Sequence, residues 1–408
     1  MPSLDSPAAD SSPEASRSGL NPDRRSPRVL LVSHSYLEGG YEGKLRALAS
    51  EVTLRLCLPK RFPSTFSAPI VRPDGDGYEV ATYPIWFPAG RRSSTRWVLP
   101  SIDLGMRQFK PDIIHVENEI ESFPVLQALV QRRLLAPHAA VVVFFWNNLP
   151  FAGWKAGLLR LLTLVARPRI ALFLAGNQAG RELLVREGVP AERVMVLPAY
   201  GVDRTWIRTP SPETRRSLRR AYGLAADEFI VLYAGRLVPE KGLDDLLAAL
   251  SLLDETGPPA RLVCVGNGPM KAALLAQSPR VLVVSPGGRD AVQPFYELAD
   301  LLVLPSRTTP LWAEQFGRVL IEAMAAGVPT IGSSSGAIPE VIGDPALIFP
   351  ERNPVALARM IDRMRHDPAL RLAAGQAGQA RVASHYTNDV IAARTVDAYR
   401  ALLNGDLP

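Results

Sequence analysis

Apolar residues along this chain come in short blocks, separated by stretches with helical spacing. Residues 28–33 (Arg-Val-Leu-Leu-Val-Ser) form an apolar run of strand length. Residues 43–50 then carry helical spacing, and residues 52–58 alternate as a strand does. Strand signals recur at 112–116, 139–146, 169–175 and 194–197, with helical stretches between them. This alternation predicts a parallel sheet with crossover helices. Residues 60–100 break the rhythm with Pro, Gly and Arg, and predict a hairpin and a mobile loop.

Residues 203–212 read as a linker, with Thr205, Thr209, Pro210 and Pro212. A second α/β series starts at residues 229–234 (Phe-Ile-Val-Leu-Tyr-Ala). A helix is expected over 243–253 and strands over 261–265, 281–284 and 301–304, followed by helical sequence over 354–383. Val390, Ala393, Val396, Tyr399 and Leu402 give residues 386–403 the spacing of one more helix. No internal repeat of 20–50 residues is present. The expected fold class is α/β, with two Rossmann-like, doubly wound parallel-sheet domains at 28–205 and 206–385. A helix-bearing segment at 386–408 follows them.

Composition agrees with that division. A chain of 408 residues exceeds one ordinary core, and 47% apolar with 21% charged residues is a globular balance. Residues 1–27 are rich in Ser, Pro, Asp and Arg and read as a disordered tail; they lack the apolar stretch of a signal peptide. No uncharged apolar run reaches membrane-spanning length, since residues 156–175 are interrupted by Arg160, Arg167, Pro168 and Arg169. Cys57 and Cys264 lie in strand-like runs without metal-ligand spacing, which suits buried thiols in a reducing, cytoplasmic setting.

Charge is unevenly placed. Residues 28–205 carry 22 Lys and Arg against 15 Asp and Glu, whereas residues 206–408 carry 21 of each. A basic first half suits an anionic partner, either a lipid surface or a phosphorylated acceptor, and equally suits plain solubilising charge. Arg61, Arg91, Arg92, Arg96, Arg132 and Arg133 stand in three short stretches, with Phe62, Phe66, Trp86, Phe87 and Trp97 near the first two. Such residues fit a membrane interface. No nucleic-acid partner is expected.

Candidate chemistry concentrates between Glu314 and Glu322, which frame Gln315-Phe316-Gly317-Arg318-Val319-Leu320-Ile321. Eight helical residues rise roughly 12 Å, with Glu314 expected in the loop before the helix and Glu322 two turns in. The amides around Gly317 mark a helix N-terminus, which attracts anions. A capped surface helix would explain two charges equally, but Ile321, Ala323, Met324 and Ala326 make this an inner helix, where a carboxylate is costly without a partner. Upstream, Gly235-Arg236 and Lys241 follow the first strand of the second series. Strand ends of open α/β sheets bind ligands, and glycine lets the backbone approach one. Gly266-Asn267-Gly268-Pro269 and Gly287-Gly288 follow the next two strands, where tight turns also need glycine.

The run from Ala299-Asp300 through Glu314, Gly317 and Glu322 to Gly327-Val328-Pro329 and Ser335-Gly336 resembles the signature of the retaining glycosyltransferases of family 4, which adopt the GT-B fold. The likeness covers residues 200–350 well and the first half loosely. It implies two Rossmann-like domains facing a central cleft, with the final helix crossing back to the first. The implied activity is sugar transfer from a nucleoside-diphosphate sugar to a hydroxyl, with retention, in polysaccharide, glycolipid or other glycoconjugate synthesis. Arg236 and Lys241 would then hold the diphosphate, Glu314 would orient the sugar, and Glu322 would receive the ribose hydroxyls. Phe316, Gly317, Arg318, Val319, Gly235 and Gly287 would line the donor site, and Gly39-Gly40 would face its phosphate from the other domain unless it is a simple turn. No enzymic nucleophile, cofactor or metal is required, because the nucleotide-sugar is a substrate and the two cations can neutralise the leaving group.

The first half departs from the family in one place. Where the family often carries a His after the strand at 141–145, this chain has Trp146-Asn147-Asn148. Asn147 or Asn148 could supply part of that role to a sugar or acceptor hydroxyl. His115, Glu117 and His34 are further cleft candidates, while His138, His366 and His385 are expected on the surface. Asp74-Gly75-Asp76 mimics a metal motif but has the composition of a hairpin turn. A non-catalytic nucleotide-sugar binder, a sugar phosphorylase, an epimerase and a nicotinamide oxidoreductase are the competing readings. The last is disfavoured, because Gly39-Gly40-Tyr41-Glu42-Gly43 lacks the dinucleotide spacing.

Overall fold

The computed structural model describes residues 25–37, 42–62, 73–87, 97–150, 156–253, 258–277, 280–285 and 290–406. Strands β1 (Arg28–Val32), β2 (Thr53–Pro59) and β3 (Glu79–Tyr83) flank helix α1 (Glu42–Ala49) in the first part of the chain. Helix α2 (Met106–Phe109), β4 (Ile113–Glu117), α3 (Phe123–Leu135) and β5 (Ala140–Phe145) follow. Helix α4 (Ala156–Ala166), β6 (Leu172–Ala175), α5 (Gln178–Arg186) and β7 (Val194–Val196) complete the sheet. All seven strands are parallel, in the order β3-β2-β1-β4-β5-β6-β7.

The second part opens with α6 (Pro212–Ala221), β8 (Phe229–Ala234), α7 (Leu243–Ser251), β9 (Ala260–Val265), α8 (Lys271–Gln277) and β10 (Val281–Val284). It continues through α9 (Gln293–Leu298), β11 (Leu301–Leu304), α10 (Arg318–Ala325), β12 (Thr330–Ser333), α11 (Ile338–Ile342) and β13 (Ile348–Phe349). Helices α12 (Pro354–His366), α13 (Pro368–His385) and α14 (Asn388–Asn404) end the described chain. The six strands are parallel, in the order β10-β9-β8-β11-β12-β13. Two parallel-sheet α/β domains are therefore present, as the alternating pattern predicts. Their central strands are mainly apolar because helices cover both faces, and β4 departs from this with His115 and Glu117.

Helix α14 lies against α1. Its Ile391, Ala392, Val396, Ala398 and Tyr399 join the core on that face of the first sheet. Where the chain passes between domains, the Val202 amide donates to the Tyr386 carbonyl and the Asn388 amide to the Val202 carbonyl, so the two connections run side by side.

The hairpin expected within residues 60–100 is not formed by β2 and β3, which run parallel. The Asp74–Gly77 turn is present: Asp74 accepts from the Asp76 amide, and Gly75 and Gly77 take positive φ. It ends a crossover rather than reversing the chain, as a parallel pair requires. Among the described residues, the antiparallel contact in this region is the Trp86–Val98 bridge, and residues 63–72 and 88–96, which carry the expected mobile loop, lie outside the described set.

Candidate active site

Strand order reverses between β1 and β4 and again between β8 and β11, and ligands of open α/β sheets sit beyond the strand ends at such points. At the second switch point β8 runs out through Gly235 to Arg236, whose carbonyl accepts from the buried Tyr233 hydroxyl at 2.6 Å. A single 3-10 turn, Pro239–Lys241, delivers Lys241. Gly242 ends that turn with φ +69°, packed so tightly on the Pro305 carbonyl that a Cβ would collide with it. β11 runs out through Pro305 and Ser306 on the neighbouring strand end.

These exits converge on Glu314. The Lys241 Nζ lies 2.6 Å from Glu314 Oε2, and the Ser306 Oγ donates to the same oxygen at 2.7 Å. The ammonium also sits 4.8 Å above the Trp312 ring, a cation–π distance. Arg307 grips Asp245 through two bonds of 2.7 and 2.6 Å and so ties the loop to α7. Gly336, at φ +53°, presses on the Glu314 backbone where a Cβ would strike the carbonyl oxygen. That carbonyl accepts from the Ala337 amide at 2.9 Å and, from the other domain, from the Asn148 Nδ2 at 2.9 Å. Asn177 Nδ2 donates to the Gln315 carbonyl at 2.7 Å, a second bridge across the cleft.

Helix α10 begins only at Arg318, after Gly317 at φ +75°. Glu314 therefore lies in the loop before the helix and Glu322 in its second turn, as expected, but the helical rise of eight residues does not apply between them. Glu322 is buried; it accepts from the Tyr296 hydroxyl at 2.6 Å and pairs with Arg318 at 3.2 Å. Arg236 is more open and lies 3.6 Å from Glu240. Phe316 stacks edgewise on Tyr386, and Val319 packs on the second core. Gly39, Gly40 and Gly287 lie outside the described residues.

At the first switch point the structure corrects two assignments. His115 is not at the cleft. It lies inside β4, buried, with Nδ1 2.6 Å from the Tyr399 hydroxyl of α14, and burial lowers its pKa to about 4. Glu117 shares that face and serves the core. Burial alone would raise its pKa. Lys44 at 3.2 Å, then His115, and hydrogen bonds from Ser33 and Tyr36 outweigh burial and hold it below the usual carboxylate range. His34 packs against Phe62 and Trp97, and burial takes it to about 4. His138, His366 and His385 are exposed. Of the asparagine pair, Asn148 touches the acidic loop, while the Asn147 and Trp146 backbones bond to Glu119.

Glu119 and Glu121 escape the sequence reading, although acids at 117, 119 and 121 straight after a strand, without a cation among them, are a signal. Both are buried, and among the described residues each has one carboxyl oxygen without a protein partner. Burial first, then Glu121, push Glu119 well above the usual range. Burial raises Glu121 from 4.5 to about 7. Between those values the folded chain holds a proton that the unfolded chain has released, so stability falls as pH rises through that window, by about 3 kcal/mol for Glu121. Glu121→Gln is expected to flatten the slope of unfolding free energy between pH 5 and pH 7 in urea titrations. An unchanged slope would contradict the assignment.

The comparisons agree with this geometry. The model described as "Glycosyl transferases group 1" matches residues 214–381, and the "Glycosyl transferase 4-like domain" matches residues 41–199. The chain belongs to the family-4 glycosyltransferases of GT-B fold. It is 29% identical over 393 residues to a Mycobacterium tuberculosis GDP-mannose-dependent alpha-(1-6)-phosphatidylinositol monomannoside mannosyltransferase, covering 91% of this chain and 98% of that one. A D-inositol 3-phosphate glycosyltransferase of Streptomyces bingchenggensis is 32% identical over 251 residues, and there the match spans 57% of this chain and only 53% of the relative. Among solved structures, Anabaena Alr3699/HepE in complex with UDP superposes with a TM-score of 0.71 at 20% identity, covering 92% of this chain and all of that one. Sucrose-phosphate synthase from Thermosynechococcus elongatus gives 0.68 at 21% identity, with 93% and 100% covered. At those identities the structures speak for the fold alone.

Proposed function

We propose that this glycosyltransferase moves a sugar from a nucleoside-diphosphate sugar to an acceptor hydroxyl, with retention and without a metal. The observation that carries this reading is the Lys241–Glu314 pair held at the β8–β11 switch point, beside the start of α10. Lys241, with Arg236 and the positive end of α10, stabilises the departing diphosphate. Glu314 orients the sugar, and Glu322 receives the ribose hydroxyls in exchange for one of its present partners. Gly235, Phe316, Gly317, Arg318 and Val319 line the donor, and Asn148 offers its amide to the sugar or acceptor from across the cleft.

For the acceptor we propose a lipid-linked or otherwise anionic molecule, reached by a peripheral enzyme. The basic first half and the phosphatidylinositol-directed relative support this. Among the described residues no helix is long and apolar enough to cross a membrane.

A thermal-shift screen across nucleotide-sugars tests donor binding, since a ligand of the folded state raises apparent stability. Transfer is then read with the donor that binds. Binding without transfer or hydrolysis would favour the non-catalytic binder, and phosphate-dependent cleavage of a disaccharide would favour a phosphorylase.

A further inference from the structure

Helix α4 turns three apolar side chains outward. Leu161, Leu164 and Val165 are exposed, together with Gly157 and Arg160, whereas Thr163 and Ala166 are buried. Positions 157, 160, 161, 164 and 165 repeat every three to four residues and so form one face. Helix α3 packs beside α4, and its Val130 and Leu134 are also outward. Ile102 stands next to them, because Gln131 of α3 donates to the Ser101 carbonyl. These six side chains are between 50% and 89% exposed. Single exposed apolar residues are ordinary, but five on two packed helices and one on the adjoining loop form a patch of the kind that is normally covered.

The charges around the patch indicate what covers it. Between Glu121 and Glu182 the sequence has no Asp or Glu, and it has seven Lys and Arg. Arg133, Arg160 and Arg169 are exposed, each within four residues of an outward apolar side chain. Two acids come near: Glu187, which lies 3.9 Å from Arg160 and offers its carbonyl to Arg167, and Asp103, which follows Ile102 and accepts from the Met106 amide. By contrast, much of the aromatic set near residues 61–97 is not available as a surface. Trp97 is fully buried, and Phe62 packs on it, on His34 and on Phe87. Trp86 is exposed, while Phe66, Arg91, Arg92 and Arg96 lie outside the described residues.

We propose that the outer face of α3 and α4 docks on an anionic lipid bilayer, with the leucines and valines among the acyl boundary and the arginines at the headgroups. An apolar stripe bordered by cations is the form of an interfacial helix. The proposal deepens the acceptor reading above and rests on it for its purpose: α4 follows in the chain the turn that carries Asn148, so the bilayer would lie on the acceptor side.

Flotation with vesicles of phosphatidylglycerol and of phosphatidylcholine, without donor, tests it. The protein is expected to float with the first and not with the second, and to be released as salt approaches about 1 M, where the Debye length is about 3 Å. Leu161→Asp with Val165→Asp should weaken binding by about 10-fold or more, because each change removes apolar contact and adds repulsion. Arg133→Glu with Arg160→Glu should act in the same direction while leaving the apolar stripe intact. Circular-dichroism melts check that both variants stay folded, as exposed positions allow. Protein left unbound on phosphatidylglycerol at low salt, or double variants that bind as wild type, would overturn the proposal. So would sedimentation velocity showing a dimer that Leu161→Asp with Val165→Asp dissolves, because a second copy would then cover the face. Donor binding by thermal shift is read without vesicles, so failure here leaves the sugar-transfer reading standing.

Discussion

Lys241→Ala should lower turnover by about 100-fold or more while donor affinity changes by much less. The ammonium sits between the Glu314 carboxylate at 2.6 Å and the Trp312 ring at 4.8 Å, on a turn locked by Gly242. Its position is set before any ligand arrives, so no reorganisation is needed as charge builds on the leaving diphosphate. Interactions that strengthen only in the transition state raise turnover, whereas uniform binding alters only the Michaelis constant. Arg236 should matter less, because it is more exposed and already lies near Glu240. Lys241→Arg should not restore activity, since a planar fork cannot occupy the place of a compact ammonium above an indole. Steady-state kinetics decide the matter. A raised Michaelis constant with intact turnover would make Lys241 a uniform binder of the donor.

The two sheets are legible because strands covered on both faces are mainly apolar, and residues 29–32 and 229–234 state this locally. The direction of β3 was not legible. Asp74-Gly75-Asp76-Gly77 has the same turn chemistry whether the chain reverses or finishes a crossover, and only the pairing partner tells them apart. His115 misled for a related reason. It alternates with Ile114 and Val116 in β4, so it faces the side that α14 covers, and the contact that settles this spans 284 residues of sequence. In the site, the sequence named Glu314 and Lys241 separately. Their ion pair, and the Ser306 bond to the same oxygen, come from two strand ends made adjacent by the β8–β11 pairing. The sequence offers Asn147 and Asn148 alike as stand-ins for a histidine, and the structure separates them, with the Asn148 amide reaching the carbonyl of the acidic loop. Glu119 and Glu121 are not legible because no motif contains them, and a chain of letters does not display burial.

Glu322→Ala should weaken nucleoside-diphosphate binding by about 1.5–3 kcal/mol, the usual contribution of hydrogen bonds to a charged group. The carboxylate is buried in the second turn of α10 and already organised, with the Tyr296 hydroxyl at 2.6 Å and Arg318 at 3.2 Å. A ribose diol arriving there would meet an acceptor that cannot turn away. The same substitution has a second consequence. Tyr296 is fully buried, and its hydroxyl would lose this acceptor, a cost of about 1–3 kcal/mol in folding stability. The two effects separate by measurement. Calorimetry with the nucleoside diphosphate reads the first, and urea unfolding without ligand reads the second. Tyr296→Phe with Glu322 retained spares the carboxylate and removes the buried hydroxyl, so it should keep donor affinity near wild type. If Glu322→Ala lowers stability but leaves affinity unchanged, Glu322 is a brace between α9 and α10, and the ribose must be held elsewhere.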